Sequence, residues 1–103
     1  MTKVSRKPLS PEELKEIEDQ FWQVVANLKS PREAKVFFGD LLTHTERKML
    51  SKRLQIARML LEKKSYIVIG KRLRVTDVTI AKINNWLNIF GEGYRLAVEK
   101  LKR

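Results

Sequence analysis

The hydrophobic positions of this chain fall almost throughout at helical spacing, and nowhere do they alternate as a strand requires. Leu14, Ile17, Phe21, Val24 and Leu28 recur at intervals of three and four, a heptad seam that predicts a helix over 11–28, widened by Trp22 and Val25. A short helix is predicted over 31–38, ending in Val36-Phe37-Phe38-Gly39, and a long one over 44–63. In the long one Met49, Leu50, Leu54, Ile56, Ala57, Leu60 and Leu61 cover more than one face, as in a central helix touched from several sides. Two shorter helices follow over 66–73 and 77–90, and a last one over 93–102 carries Tyr94, Ala97, Val98 and Leu101 on one stripe.

The helix starts are written in a common syntax. Ser10-Pro11-Glu12-Glu13, Ser30-Pro31-Arg32-Glu33 and Thr43-His44-Thr45-Glu46 each read as a capping box, in which a hydroxyl accepts a free amide of the first turn and the glutamate reaches back. Ser65 and Thr76 are further N-caps.

The segment from Tyr66 to Asn85 has the buried-position pattern of a helix-turn-helix. With Tyr66 as position 1, apolar residues are needed at positions 4, 8, 10, 15 and 18, and Ile69, Leu73, Val75, Ile80 and Ile83 supply them. Gly70 stands where the second helix crosses closest. Arg74 occupies the turn position at which a left-handed backbone usually calls for glycine, leaving open whether that geometry is kept.

Composition fits one soluble all-α domain of about six helices over 11–103, preceded by a flexible basic arm over 1–10. Within the domain, 11–63 supplies core and dimerisation helices, 65–90 the helix-turn-helix and 93–102 the closing helix. The apolar stripe of 11–28 is wider than a short second helix can cover, which predicts packing on another subunit.

Charge is segregated. Residues 1–40 hold seven basic and seven acidic side chains, so the whole net charge of +10 lies in 41–103, around the helix-turn-helix. Such a surface gains affinity for a polyanion by counterion release, and double-stranded DNA is the expected partner.

The chain has no cysteine and a single histidine, His44, inside a capping box, so catalytic and metal sites are not expected. No apolar run has the length to span a bilayer and no secretory signal is evident, so no membrane partner is expected and the predicted compartment is the cytoplasm, at the nucleoid.

With Ile80, Ile83, Leu87 and Phe90 turned inward, the second helix of the motif presents Asp77, Val78, Thr79, Ala81, Lys82 and Asn85 as candidate base readers. Val78 and Ala81 suit thymine methyls, and Thr79 suits a base edge or a phosphate. Lys82 can reach guanine or phosphate, and Asp77 either accepts from cytosine or complements the helix dipole. Lys71, Arg72, Arg74 and Thr76 are placed to track the phosphate backbone.

Beyond the motif, residues 40–101 resemble the Trp repressor superfamily of bacterial transcription regulators: Leu41-Leu42-Thr43 opening a long helix at a T-x-x-E-R pattern, Arg53, Leu60-Leu61 before the loop, and the Thr79-Ile80 pair. The resemblance implies an intertwined homodimer whose two heads meet successive major grooves of a palindromic operator, about 34 Å apart, with base contacts largely through water.

It also implies an effector pocket at Thr43, Arg53, Lys82 and Ile83, of which the first two match the family and the last two replace its arginine and glycine. Ile83 is expected to fill that space from within and exclude tryptophan, so no cofactor or corepressor is expected. Ile67 and Gly70 stand where the family carries basic residues on the first helix of the motif.

The reading is a sequence-specific transcriptional regulator, a repressor, acting as a dimer. A non-specific nucleic-acid-binding protein and a basic helical adaptor remain as alternatives, separated from it by salt and sequence dependence.

Overall fold

The computed structural model describes residues 7–102, so most of the basic arm predicted over 1–10 lies outside the described residues. Six helices follow in order: α1 (Pro11–Ala26), α2 (Pro31–Leu41), α3 (His44–Leu61), α4 (Tyr66–Leu73), α5 (Asp77–Ile89) and α6 (Glu92–Leu101). There is no strand among the described residues. The chain divides into two compact units at Leu41/Leu42, a boundary that falls within the stretch read as one domain.

The first unit is the α1–α2 pair. Ser10 Oγ accepts from the Glu13 amide at 3.1 Å, and the Ser10 amide donates to Glu13 Oε1 at 3.1 Å. Ser10 holds the Glu13 carboxyl below its ordinary range, chiefly through its backbone amide and next through its hydroxyl. At Ser30 the box is altered: the hydroxyl takes the Glu33 amide, but the glutamate accepts from the Lys29 amide at 2.9 Å.

Helix α1 stops two residues earlier than the heptad predicts, because Asn27 Nδ2 donates to the Gln23 carbonyl at 2.8 Å and caps the end. Helix α2 runs past Gly39 to Leu41, three residues longer than expected. A helical glycine weakens that turn by only about 1 kcal/mol, and the next stop signal is the Thr43 cap. Phe21 meets Phe37 at 6.1 Å between ring centroids, yet neither helix contains a buried residue.

The second unit holds the core. Ile56, Ala57 and Met59 of α3, Ile69 of α4 and Ile80, Ile83 and Leu87 of α5 are buried together, with Leu73, Val75 and Tyr94 packed against them. Thus all five expected helix-turn-helix positions lie in the core or on it. Val98 of α6 is also buried.

Thr43 and Glu46 form the second complete box, and the Glu46 carboxyl is likewise held low, chiefly by the Thr43 backbone bond and then by its side chain. Helix α3 ends two residues early at a Schellman turn without glycine. Lys63 is left-handed at φ 65°, and the Lys63 and Lys64 amides donate to the Leu60 and Met59 carbonyls.

The α4–α5 turn keeps the left-handed geometry on a non-glycine residue, with Arg74 at φ 56° and ψ 57°. The backbone also passes close beside it: a Cβ on Gly70 would lie 3.2 Å from the Val75 carbonyl oxygen, tighter than ordinary van der Waals contact.

The far end of α5 departs from expectation. Phe90 leaves helical geometry at φ −125° and ψ −109°, so the spacing that aimed it inward no longer applies, and it is 61% exposed. Gly91 then turns at φ 79°, where a Cβ would fall 2.9 Å from the Leu87 Cα, and α6 starts one residue early at Glu92. The Arg95 guanidinium takes up the open carbonyls, donating to Leu87 at 3.1 Å and to Phe90 at 3.2 Å.

Candidate nucleic-acid interface

The exposed side of α5 is set by its buried one. Ile80, Ile83 and Leu87 fix the inward stripe, which leaves Asp77, Val78, Lys82 and Asn85 open to solvent. Val78 is 65% exposed in the first turn, an apolar side chain with no packing role within its unit. Asp77 sits beside it in the same first turn, where a carboxylate complements the positive end of the helix dipole.

Thr79 and Ala81 are half-buried, at the edges of this face rather than at its centre. Thr79 is tied to the cap: its amide donates to Thr76 Oγ1 at 3.3 Å, and the two hydroxyl oxygens lie 3.2 Å apart. One of these threonine hydroxyls is therefore already engaged before any base arrives.

The backbone-tracking candidates cluster at the turn. Lys71 and Arg72 occupy the last turn of α4, Arg74 caps it and Thr76 opens α5, all exposed. Lys52 Nζ, from α3, donates to the Arg74 carbonyl at 3.5 Å, a long bond that ties the strained turn to the central helix. On α4 itself Ile67 is 70% exposed and carries no charge, so positive charge on this helix comes only from its end.

Between α3 and α5 lies a cleft of about 570 Å3. Arg53, Lys82 and Ile83 line it together, as the resemblance implies; Thr43 does not, its hydroxyl being used in the α3 cap. Ile83 does not fill this space. Its side chain packs into the core at 7% exposure and forms part of the wall, leaving the cleft open in front of it.

Met49, Lys52, Ile56, Trp86 and Tyr94 also line the cleft and were missed in the sequence. Met49, Lys52, Arg53 and Ile56 share one face of α3 at spacings of three, four and seven, a signal legible in principle. Lys52, Arg53, Arg74 and Lys82 meet no carboxylate in any ion pair among the described residues. No group of three or more His, Asp or Glu placed to hold a metal ion occurs among those residues, nor does a helix long and apolar enough to cross a membrane.

Residues 15–102 match the family model of the Trp repressor protein. The chain is 33% identical over 84 residues to the uncharacterized protein YerC of Bacillus subtilis, covering 82% of this chain and 81% of that protein. Among solved structures it resembles a TrpR-like protein from Eubacterium eligens, with a TM-score of 0.80 and 34% identity over 88% of this chain and 95% of the other. A provisionally assigned Trp repressor from Staphylococcus aureus is similar at a TM-score of 0.80 and 25% identity, over 92% of this chain and 96% of that one. The chain belongs to the Trp repressor family.

Proposed function

We propose that this member of the Trp repressor family is a DNA-binding transcriptional regulator, a repressor that acts at the nucleoid as a homodimer on a palindromic operator. The observation that carries the reading is the α5 face: an exposed Val78 flanked by Asp77, Lys82 and Asn85, on the unit that holds the entire net charge of +10. Lys71, Arg72, Arg74 and Thr76 set the head on the phosphates, which positions it without selecting sequence. Val78, Lys82 and Asn85 then meet base edges, with Thr79 and Ala81 at the margin and Asp77 tuning the helix N-terminus.

The dimer is supported by α1. Its Leu14, Ile17, Trp22 and Val24 are exposed on a heptad stripe, and α1–α2 has no core of its own. A second copy covering that stripe would place two heads on one side of DNA, at half-sites about one helical turn apart.

Tryptophan is not the effector in this reading. Ile83 stands at the cleft wall where the family has glycine, and no carboxylate in the cleft can receive the ammonium group of an amino acid. Micromolar tryptophan binding in a calorimeter, with tighter operator binding, is the result that would contradict this.

Selection of bound sequences from random DNA by the purified protein tests the function. The expected outcome is a palindrome with half-sites one turn apart, bound about 10³-fold or more above bulk DNA at the same salt. Salt-sensitive binding without enrichment would instead make this a non-specific nucleic-acid protein, and no binding at all a basic adaptor.

A further inference from the structure

Helix α4 carries an apolar side chain that neither the core nor the contacts proposed above employ. Ile67 is 70% exposed, more than Val78 at 65%. A single exposed isoleucine is ordinary on a protein surface; the surroundings of this one are not. Residues 63–74 hold five basic side chains, Lys63, Lys64, Lys71, Arg72 and Arg74, and no acidic one. A second copy seated on Ile67 across a two-fold axis would bring two such segments together, and their like charges oppose that contact. A polyanion meets no such opposition.

The direction Ile67 faces follows from its neighbours. Gly70 marks the side of α4 that adjoins α5, since a Cβ there would lie 3.2 Å from the Val75 carbonyl oxygen and 4.0 Å from Ile80 Cδ1. Around the helix Ile67 stands about 60° from Gly70 and about 40° from Lys71, whereas Val68 stands about 160° from Gly70. Ile67 and Lys71 therefore share the flank beside α5, and Val68 looks away from it. The fully buried Ile69 and the packed Leu73 fix the helix in this rotation.

Six residues separate Ile67 from Leu73, which sets Ile67 about 9 Å back from the turn that leads into α5. With α5 in a major groove about 12 Å wide, the first helix of the motif crosses the groove's edge, and Ile67 meets a base pair beyond those under Val78. An isoleucine offers a phosphate nothing and makes no hydrogen bond to a base. The apolar group on a base edge in the major groove is the thymine C5-methyl.

We propose that Ile67 is a further specificity-determining residue, which packs on the C5-methyl of a thymine flanking each half-site while Lys71 holds the adjacent phosphate. The inference rests on the DNA-binding reading and deepens it. Each half-site then carries thymine at two separated places, one under Val78 of α5 and one under Ile67 of α4.

Deoxyuracil lacks only that methyl and keeps the pairing groups of thymine, so it tests the contact directly. Thymines of the selected palindrome are replaced one at a time, symmetrically in both half-sites, and each DNA is titrated by anisotropy at fixed salt with the full chain, Ile67→Ala and Val68→Ala. At one flanking pair of positions the unaltered protein is expected to lose about fifteenfold in affinity, about fourfold for each of two methyl groups. Ile67→Ala should bind the intact palindrome at least that much more weakly and lose no more than about twofold further on the same replacement, the signature of a coupled pair. Val68→Ala should behave as the unaltered protein, and both variants should keep its thermal melt, because both residues are exposed.

An equal deoxyuracil loss in Ile67→Ala would mean that the methyl acts through DNA shape, and overturns the proposal. So does a palindrome with no methyl-sensitive flanking position, or an Ile67→Ala loss that is the same on random DNA, which would make Ile67 a sugar-backbone contact. An enriched palindrome indifferent to Ile67 leaves the regulator reading standing without this contact. Selection that enriches no sequence refutes the regulator reading and this inference with it.

Discussion

The two units of this chain divide the work of folding and of function unequally. The α1–α2 unit carries no net charge, has no buried residue and leaves Leu14, Ile17 and Trp22 exposed, whereas the α3–α6 unit owns the core and the whole +10. A helix pair without a core cannot offset the entropy of ordering its chain, so its apolar surface is there for something else to cover. A unit whose excess charge is uncompensated is likewise waiting for a polyanion. In the proposed account the first requirement is met by a second copy and the second by DNA.

The sharpest way to break this comparison is to put a charge on the α1 stripe. Ile17→Lys is expected to halve the mass measured by light scattering toward the single-chain value of 12.1 kDa. It should also reduce operator affinity on the order of 10²-fold or more, because the second head no longer binds as a tethered neighbour. An unchanged mass would show that this stripe is not the subunit contact.

The α3–α6 unit should respond differently. Ile80→Ala empties a fully buried position and is expected to lower stability by about 2–5 kcal/mol in urea unfolding. Val78→Ala on the same helix should change stability by no more than about 0.5 kcal/mol, since Val78 is exposed. Equal losses would mean that α5 does not sort its residues by face as described.

A smaller effect separates stability from binding at the turn. Arg74→Gly relieves a left-handed non-glycine residue and should raise stability by about 1 kcal/mol. The same change removes one backbone cation and should lower the slope of log affinity against log salt by about one. A loss of stability would indicate that the Lys52 bond or the arginine stem contributes more than the strain.

The smallest effect lies in the caps, one in each unit. Glu13 and Glu46 have lowered folded-state pKa values, so each contributes stability that is present above the ordinary glutamate range and is lost as pH falls through the lowered value. Glu46→Gln should flatten this acid limb in a melting series below neutral pH, and Glu13→Gln should leave the α3–α6 transition unmoved. Equal flattening by both would mean that the two units unfold as one.

Much of this was legible in the sequence because it is local. Capping boxes at Ser10 and Thr43 and five core positions between Ile69 and Ile83 need only neighbouring residues to declare themselves. What was missed depends on backbone turns or on pairs far apart in the chain. Lys63 adopts a left-handed turn without the glycine that would announce it, and Phe90 swings outward because Gly91 ends the helical register one residue sooner than the apolar spacing suggests.

Long-range placement was harder. Met49 reads only as one of several apolar positions of a central helix until Trp86 and Tyr94, over thirty residues away, join it and Lys52 in lining the cleft. Thr43 was assigned to that cleft by resemblance, but its hydroxyl is committed to the Glu46 amide.

The central claim is that two α5 helices read one operator from a dimer. The direct measurement is an anisotropy titration of the protein on its selected palindrome and on the same half-sites separated by about five additional base pairs, half a helical turn. The account predicts that the insertion reduces binding about 10³-fold, toward the non-specific level, by turning one half-site away. Equal affinity for the two DNAs would contradict it.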